Sequence, residues 1–194
     1  MSKRADAVPI IHLRDEFNGS GGLNGRVPDL GPAWAMNAGS DATVTSGFAR
    51  GNPLTGSFSA GRPRCPHYSV EMQSQLVGDG TVHLEMRSPT SGEGYRIFHA
   101  TSGGAESYNV NRNPPFVSFT NSVAISPAGQ IHTFRLEVVG TRIRFYFDGG
   151  LVHETTDATF SDAGEARLRF AAGSDARVYR FEVIDFVNPI RAAG

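Results

Sequence analysis

Residues 131–154 read IHTFRLEVVGTRIRFYFDGGLVHE, and the fold class follows from how this stretch pairs with itself. Successive side chains of an extended chain point to opposite sides. Phe134, Leu136 and Val138 therefore share one face, and Ile143, Phe145 and Phe147 share one face of the next segment. Between them Gly140-Thr141 is a two-residue connection with glycine first, the composition of a type II′ hairpin turn. Closing the chain there predicts a register: Val138 opposite Ile143, Leu136 opposite Phe145, Phe134 opposite Phe147, and on the other face Glu137 opposite Arg144. A slip by one residue would turn the arginines inward, so a single register satisfies both faces. Asp148-Gly149-Gly150 turns the chain again, because glycine accepts the positive φ of a tight hairpin. Val152 is expected back on the phenylalanine side. The product is an antiparallel meander with one apolar face that the rest of the chain has to cover.

The same alternation recurs at 67–77, with Tyr68, Val70, Met72 and Leu76 on one side, and at 81–87, with Val82, Leu84 and Met86 inward. Segments 10–13, 43–49, 95–100, 106–111, 116–123, 165–171 and 177–187 also read as strands. Segments 19–32 and 51–66, rich in Gly, Pro and Ser, read as loops. No helical spacing of apolar residues is long enough to matter. Antiparallel strands interrupted by long loops favour two curved sheets stacked face to face over an evenly wound barrel. The expectation is an all-β, antiparallel two-sheet jelly-roll β-sandwich in a single domain, 10–190, with an N-terminal arm at 1–9 and a C-terminal tail at 191–194. Both ends of the domain are strand-like, so Asp15-Glu16-Phe17 should neighbour 181–186.

Composition agrees with many short strands joined by turns: 23 Gly and 11 Pro in 194 residues. A net charge of -1 recruits neither nucleic acid nor an anionic membrane. No apolar run has the length of a membrane span, so no membrane insertion is expected. The opening MSKRADAVPIIHL lacks the apolar core of a secretory signal. Cys65 is the single cysteine, which rules out an internal disulfide framework, fits folding in a reducing cytosol, and reads as a small half-buried side chain between prolines.

Two sets of residues, one early and one late in the chain, carry a resemblance. Asp15-Glu16-Phe17, then Leu23-Asn24-Gly25-Arg26-Val27-Pro28-Asp29, then Trp34 look like the opening of concanavalin A-like lectin/glucanase jelly rolls, in particular those of bacteriophage tail proteins. The late pattern is similar to that of laminin G-like sandwiches as well: His132-Thr133-Phe134, Arg142 through Asp148-Gly149, Asp157 through Gly164, and the closing Phe181-x-Val183-x-Asp185-Phe186. The resemblance implies a fold that hosts lectins, hydrolases, lyases and structural modules.

A glucanase of this kind needs paired carboxylates on one strand, as Glu-x-Asp-x-(x)-Glu, and no such run is present. Glu182 and Asp185 are oddly spaced and should face opposite ways; Glu71 and Glu85 read as isolated, solvated strand acids. The six histidines have no zinc spacing and no serine sits in a Gly-x-Ser-x-Gly elbow. The chain is accordingly expected not to be an enzyme and to need no cofactor, with calcium at Asp29, Asp41 or Asp157 left open. A glycan groove is the sharper expectation. If 95–99 and 108–113 are adjacent strands and the His99 side is the concave one, Tyr95, His99, Tyr108, Asn111 and Arg112 would line it. The plainer reading, that these rings belong to the core, stands beside it. Trp34 reads as an inter-sheet plug with a bonded N–H. A sugar-associated fold without signal or disulfides fits a protein assembled in a host cytoplasm and displayed on a particle. The expected role is thus a virion structural protein of a tailed bacteriophage, a minor tail or capsid-decorating subunit. Its expected partners are other virion proteins or copies of itself, with host-surface polysaccharide as ligand. The alternatives are a polysaccharide-active glycoside hydrolase or lyase of the same fold, or a free-standing lectin.

Overall fold

The hairpin pairs in the expected register: Val138 faces Ile143, Leu136 faces Phe145, Phe134 faces Phe147 and Glu137 faces Arg144. The charged pair closes at 3.1 Å, and Gly140 takes φ +64 at the turn. The structure, a computed structural model, describes residues 8–51, 55–90, 92–171 and 175–187. Most of the expected arm and the whole expected tail 191–194 lie outside the described residues.

Seventeen strands are found among those residues. In chain order they are β1 (Val8–Asp15), β2 (Gly21–Gly22), β3 (Ala35–Gly39), β4 (Thr43–Thr45), β5 (Phe48–Arg50), β6 (Gly56–Ser59), β7 (Tyr68–Leu76), β8 (Gly80–Ser88) and β9 (Gly94–Ser102). Then follow β10 (Ala105–Asn113), β11 (Val117–Ser118), β12 (Val123–Ile125), β13 (His132–Val139), β14 (Arg142–Phe147), β15 (Gly150–Thr156), β16 (Glu165–Phe170) and β17 (Ala176–Val187). One sheet runs β15-β14-β13-β7-β17-β5-β4-β2, with β1 also on β17; the other runs β11-β10-β9-β8-β16-β6-β3, with β12 on β10. This is the antiparallel two-sheet jelly-roll sandwich. Its core is the set of inward side chains: Phe134, Leu136, Val70 and Met72 from the first sheet meet Leu84, Ile97, Leu168 and Phe170 from the second.

Four local expectations are corrected. Val152 does not return to the apolar side: a bulge after Phe145 places His153 opposite that residue and leaves Val152 46% exposed on the edge strand. Segment 43–49 is not one strand but the hairpin β4–β5, turned at Gly47 with φ +92. Segment 116–123 breaks into the short β11 and the start of β12, both on β10. Segment 51–66 contains β6, a buried strand paired on both sides, with β16 and with β3. Its Gly-Ser-Phe-Ser composition reads as loop, yet small residues are what the crowding demands: a Cβ on Gly56 would fall 2.4 Å from the Ser40 carbonyl oxygen.

The first and last strands do lie side by side, Asp15 opposite Phe181 and Arg14 opposite Glu182. Asp15 explains the opening motif. Fully buried, its carboxylate accepts from the Phe17 N–H at 2.7 Å, Trp34 Nε1 at 2.8 Å and Arg26 Nε at 3.0 Å. Trp34 in turn plugs the space between Phe17 and Phe181. Loop 19–32 is thereby tied to the β1–β17 seam by a charge that has no water to fall back on. Asp15→Ala leaves the indole N–H without its acceptor and Arg26 without its carboxylate, with only the Asn18 carbonyl remaining, and is expected to cost about 3–5 kcal/mol. Trp34→Phe, which removes the donor and trims the plug, is expected to cost less, about 1–3 kcal/mol; urea unfolding measures both.

Candidate functional site

Alternation along β8 sends Val82, Leu84 and Met86 into the core and His83 and Glu85 to the outer face of the second sheet. Ala166, Leu168 and Phe170 of β16 do the same, so Arg167 and Arg169 join that outer face. Register then lays out two parallel rows across five strands. One is Asn111–Arg96–Glu85–Arg167–Ser59; the other is Asn109–Phe98–His83–Arg169–Ser57. Sequence reasoning missed this array, although the signal was present: in 81–87 and 165–170 every second residue is polar opposite an apolar set.

The face is outward but not open. Glu85 is 0% exposed, Arg167 4% and Arg96 6%. The connection between β8 and β9 overhangs it: the Gly92 N–H donates to Glu85 Oε2 at 3.2 Å and the Gly92 carbonyl accepts from Arg96 Nη1 at 2.9 Å. Arg96 also clamps Asn111 Oδ1 through Nε and Nη2, at 3.1 and 3.0 Å. Arg167 is held by Glu165 at 2.8 Å, whereas Arg169 Nη1 comes only to 4.0 Å from Glu85 Oε1. Burial pushes the Glu85 carboxyl above the usual range, with Gly92 N–H and the three arginines pulling against it. Burial likewise drives His83 down to about 3, and Arg169 and Arg96 push it the same way. The His83 ring packs on Phe98 at 4.0 Å between centroids, and the Arg96 guanidinium lies 4.8 Å from the Phe98 centroid. Beyond Phe98, a pocket of ≈ 260 Å³ is lined by Phe98, Asn109, Asn111, Phe116 and Ser122.

The isolated solvated acid expected at Glu85 is therefore a buried one, because its cross-strand neighbours and the overhanging turn displace water. The groove expected on the His99 side divides between interior and surface. Tyr95, His99 and Tyr108 point between the sheets, so the premise that this side faces solvent does not hold. Tyr95 donates to Asp157 Oδ1 at 2.9 Å, and Arg112 pairs with the same carboxylate at 2.9 Å, so these two meet as a latch on the loop after β15. His99 bonds Ser74 Oγ at 2.9 Å and Glu106 Oε1 at 2.5 Å. Those residue types suit acyl transfer, but Ser74 is fully buried, and the trio instead ties β7 to β9 and β10 across the core. Asn111 is the one of the five whose side chain alternation places on the outer face, and of the five it lines the pocket together with Tyr108.

The aspartates considered for calcium stand apart and are engaged. Asp29 accepts the Glu16 N–H, Asp41 those of Leu23 and Asn24, and Asp157 the groups just described. Among the described residues no three His, Cys, Asp or Glu side chains gather as metal ligands, and no helix is long and apolar enough to cross a membrane.

No family model and no curated protein matches the chain. Solved structures do. The carbohydrate recognition domain of Emp47p superposes with a TM-score of 0.62 at 13% identity, covering 96% of this chain and 100% of that one. SCLam, a non-specific endo-β-1,3(4)-glucanase, gives a TM-score of 0.62 at 14% identity over 96% and 94%. The exoplasmic/lumenal domain of VIP36, in a Ca2+- and mannose-bound form, gives 0.59 at 13% identity over 84% and 86%. The fold is the concanavalin A-like lectin/glucanase jelly roll. The expectation that the chain is not an enzyme does not stand, because a glucanase shares this jelly roll over nearly its whole length, and the fold houses catalysis as well as binding.

His83 sets a pH dependence of stability. It is neutral when folded down to about pH 3 but takes a proton near 6.5 when unfolded. The unfolded state binds the extra proton across that window, so the contribution of His83 is full above pH 6.5 and is lost as pH falls toward 3. His83→Gln is expected to shallow the slope of unfolding free energy against pH between 6 and 4 by up to about 1.4 kcal/mol per pH unit. Urea titrations across that range measure it.

Proposed function

We propose that this protein binds carbohydrate on the outer face of its second sheet, centred on the pocket of Phe98, Asn109, Asn111 and Phe116. The observation that carries the reading is Phe116, an aromatic ring left 62% exposed at the rim of a pocket floored by two amides. An apolar ring takes the C–H face of a sugar, and polar side chains fix its hydroxyls, the usual division of labour in a ligand pocket. The amides are pre-set: Asn111 Nδ2 donates to Asn109 Oδ1 at 2.8 Å, and Asn109 Nδ2 donates to Ser118 Oγ at 2.9 Å. Supporting it further, similar structures include a carbohydrate recognition domain and a mannose-bound domain. Phe116→Ala is expected to weaken binding of the best ligand on a glycan array about tenfold, a loss of roughly 1.4 kcal/mol; calorimetry on the full chain measures it, and unchanged affinity would remove this pocket from the reading.

A catalytic reading has one observation in its favour. Burial raises the pKa of Glu85, the condition in which a carboxyl serves as general acid to a glycosidic oxygen. Glu165, held by Arg167, is a second carboxylate on the strand that pairs with β8. Release of reducing ends from β-glucan, abolished by Glu85→Gln, is the expected result under this reading; no release from a panel of neutral and acidic glycans would end it. Placement on a phage virion, among other virion proteins or copies of the chain, is supported by the sequence resemblance alone.

A further inference from the structure

Five buried polar atoms on three adjacent strands of the outer face have no hydrogen-bond partner: Glu85 Oε1, His83 Nδ1, Arg167 Nη1, Arg169 Nε and Ser57 Oγ. Their convergence is set by register, Arg167 opposite Glu85, Arg169 opposite both His83 and Ser57. Glu85 is 0% exposed, Ser57 1%, Arg167 4% and His83 5%. Desolvated polar groups are normally paired, and each one left unpaired costs free energy that folding alone does not return. Such a cluster on the side of a sheet away from the core is what a site looks like before its ligand arrives.

The charges narrow the ligand. Three guanidinium groups, Arg96, Arg167 and Arg169, stand on the two rows around the single carboxylate of Glu85. Arg96 is used by Asn111 and Gly92, and Arg167 is partly neutralised by Glu165. Arg169 is the cation in excess: its nearest carboxylate oxygen is 4.0 Å away, and its side chain keeps 29% of its surface open. A neutral sugar would satisfy Glu85 and Ser57 but leave that charge uncompensated. An oxyanion would meet Arg169 and the free Nη1 of Arg167 together, the geometry in which arginine binds carboxylate or sulfate most strongly.

We infer that the outer face selects an anionic polysaccharide, one sugar ring lying on the Phe98–Phe116 pocket and a carboxylate or sulfate group of a neighbouring unit on Arg169 and Arg167. Phe98 and Arg169 lie in the same row with only His83 between them. Two strand spacings, roughly 10 Å, separate the platform from the charge, so the chain crosses the strands along that row. This rests on the carbohydrate reading and specifies its substrate class.

Calorimetry on the full chain with three oligosaccharides of equal length, one neutral, one uronate and one sulfated, tests it. The anionic ligands are expected to bind at least about tenfold tighter than the neutral one. That margin is expected to shrink in about 0.5 M salt and to vanish in Arg169→Gln. Preference for the uronate or for the sulfated ligand names the source of the charge. Neutral binding with no anionic advantage, or an advantage that survives in R169Q, would overturn the inference and leave the carbohydrate reading standing. Silence from all three would overturn both. Should R169Q fail to fold, judged by its thermal transition, the wild-type salt series decides: an anionic preference indifferent to salt sinks the proposal.

Discussion

An extended strand cannot turn two successive side chains to the same side, and β8 displays the consequence. Its alternate residues are forced outward once Val82, Leu84 and Met86 fill the core. The same constraint acts on β9 and β16, so building the hydrophobic interior also builds, on the reverse of the sheet, an ordered lattice of His83, Glu85, Arg96, Arg167 and Arg169. Interior and candidate site are two sides of the same strands. A substitution that shifted the register of β8 by one residue would exchange them and destroy both.

That lattice is costly to hold. Ionic groups taken from water recover the cost only when geometry and hydrogen bonding are good, and here they are good in part. Arg96 is satisfied by Asn111 and Gly92, and Arg167 leans on Glu165, while Glu85 keeps one oxygen unpartnered. The overhanging turn at Gly92 bonds both Glu85 and Arg96 and so sets the positions of these two side chains. Preorganisation of this sort lowers the ordering cost of association. The interior polar trio contrasts with it: Ser74, His99 and Glu106 close on one another and on the Gly129 N–H. The first arrangement leaves polar atoms unpaired, the second is complete.

Asp15 plays a third role for a buried carboxylate. By gathering the Phe17 N–H, Trp34 and Arg26 it converts a glycine-rich loop into a fixed wall of the sandwich. The residues that carry the resemblance to lectin-like jelly rolls are thus mostly residues that hold this corner together. That is why the resemblance is informative about fold and says little about ligand, and why neighbours with the same jelly roll at 13–14% identity include both a carbohydrate recognition domain and a glucanase.

Much of the fold was legible from residue order because its causes are local. The hairpin register follows from period two and a glycine turn, and the burial of Trp34 from its being a lone indole among strands. β6 was illegible, since a strand of Gly and Ser is specified by the crowding of its neighbours and not by its own propensity. The bulge that leaves Val152 exposed was illegible for a related reason, as it depends on how the edge strand leaves the sheet. At the site, alternation by itself separated Arg96 and Phe98 from Tyr95 and His99, but it is symmetric between the two sides of a strand. Only tertiary packing, which lays the first sheet against one side of the second, breaks that symmetry. It sends Tyr95, His99 and Tyr108 into the core, leaves Asn111 outside, and brings Glu85 of β8 beside Arg167 of β16 across the intervening chain, a contact that no pattern along the sequence encodes because it exists only between strands.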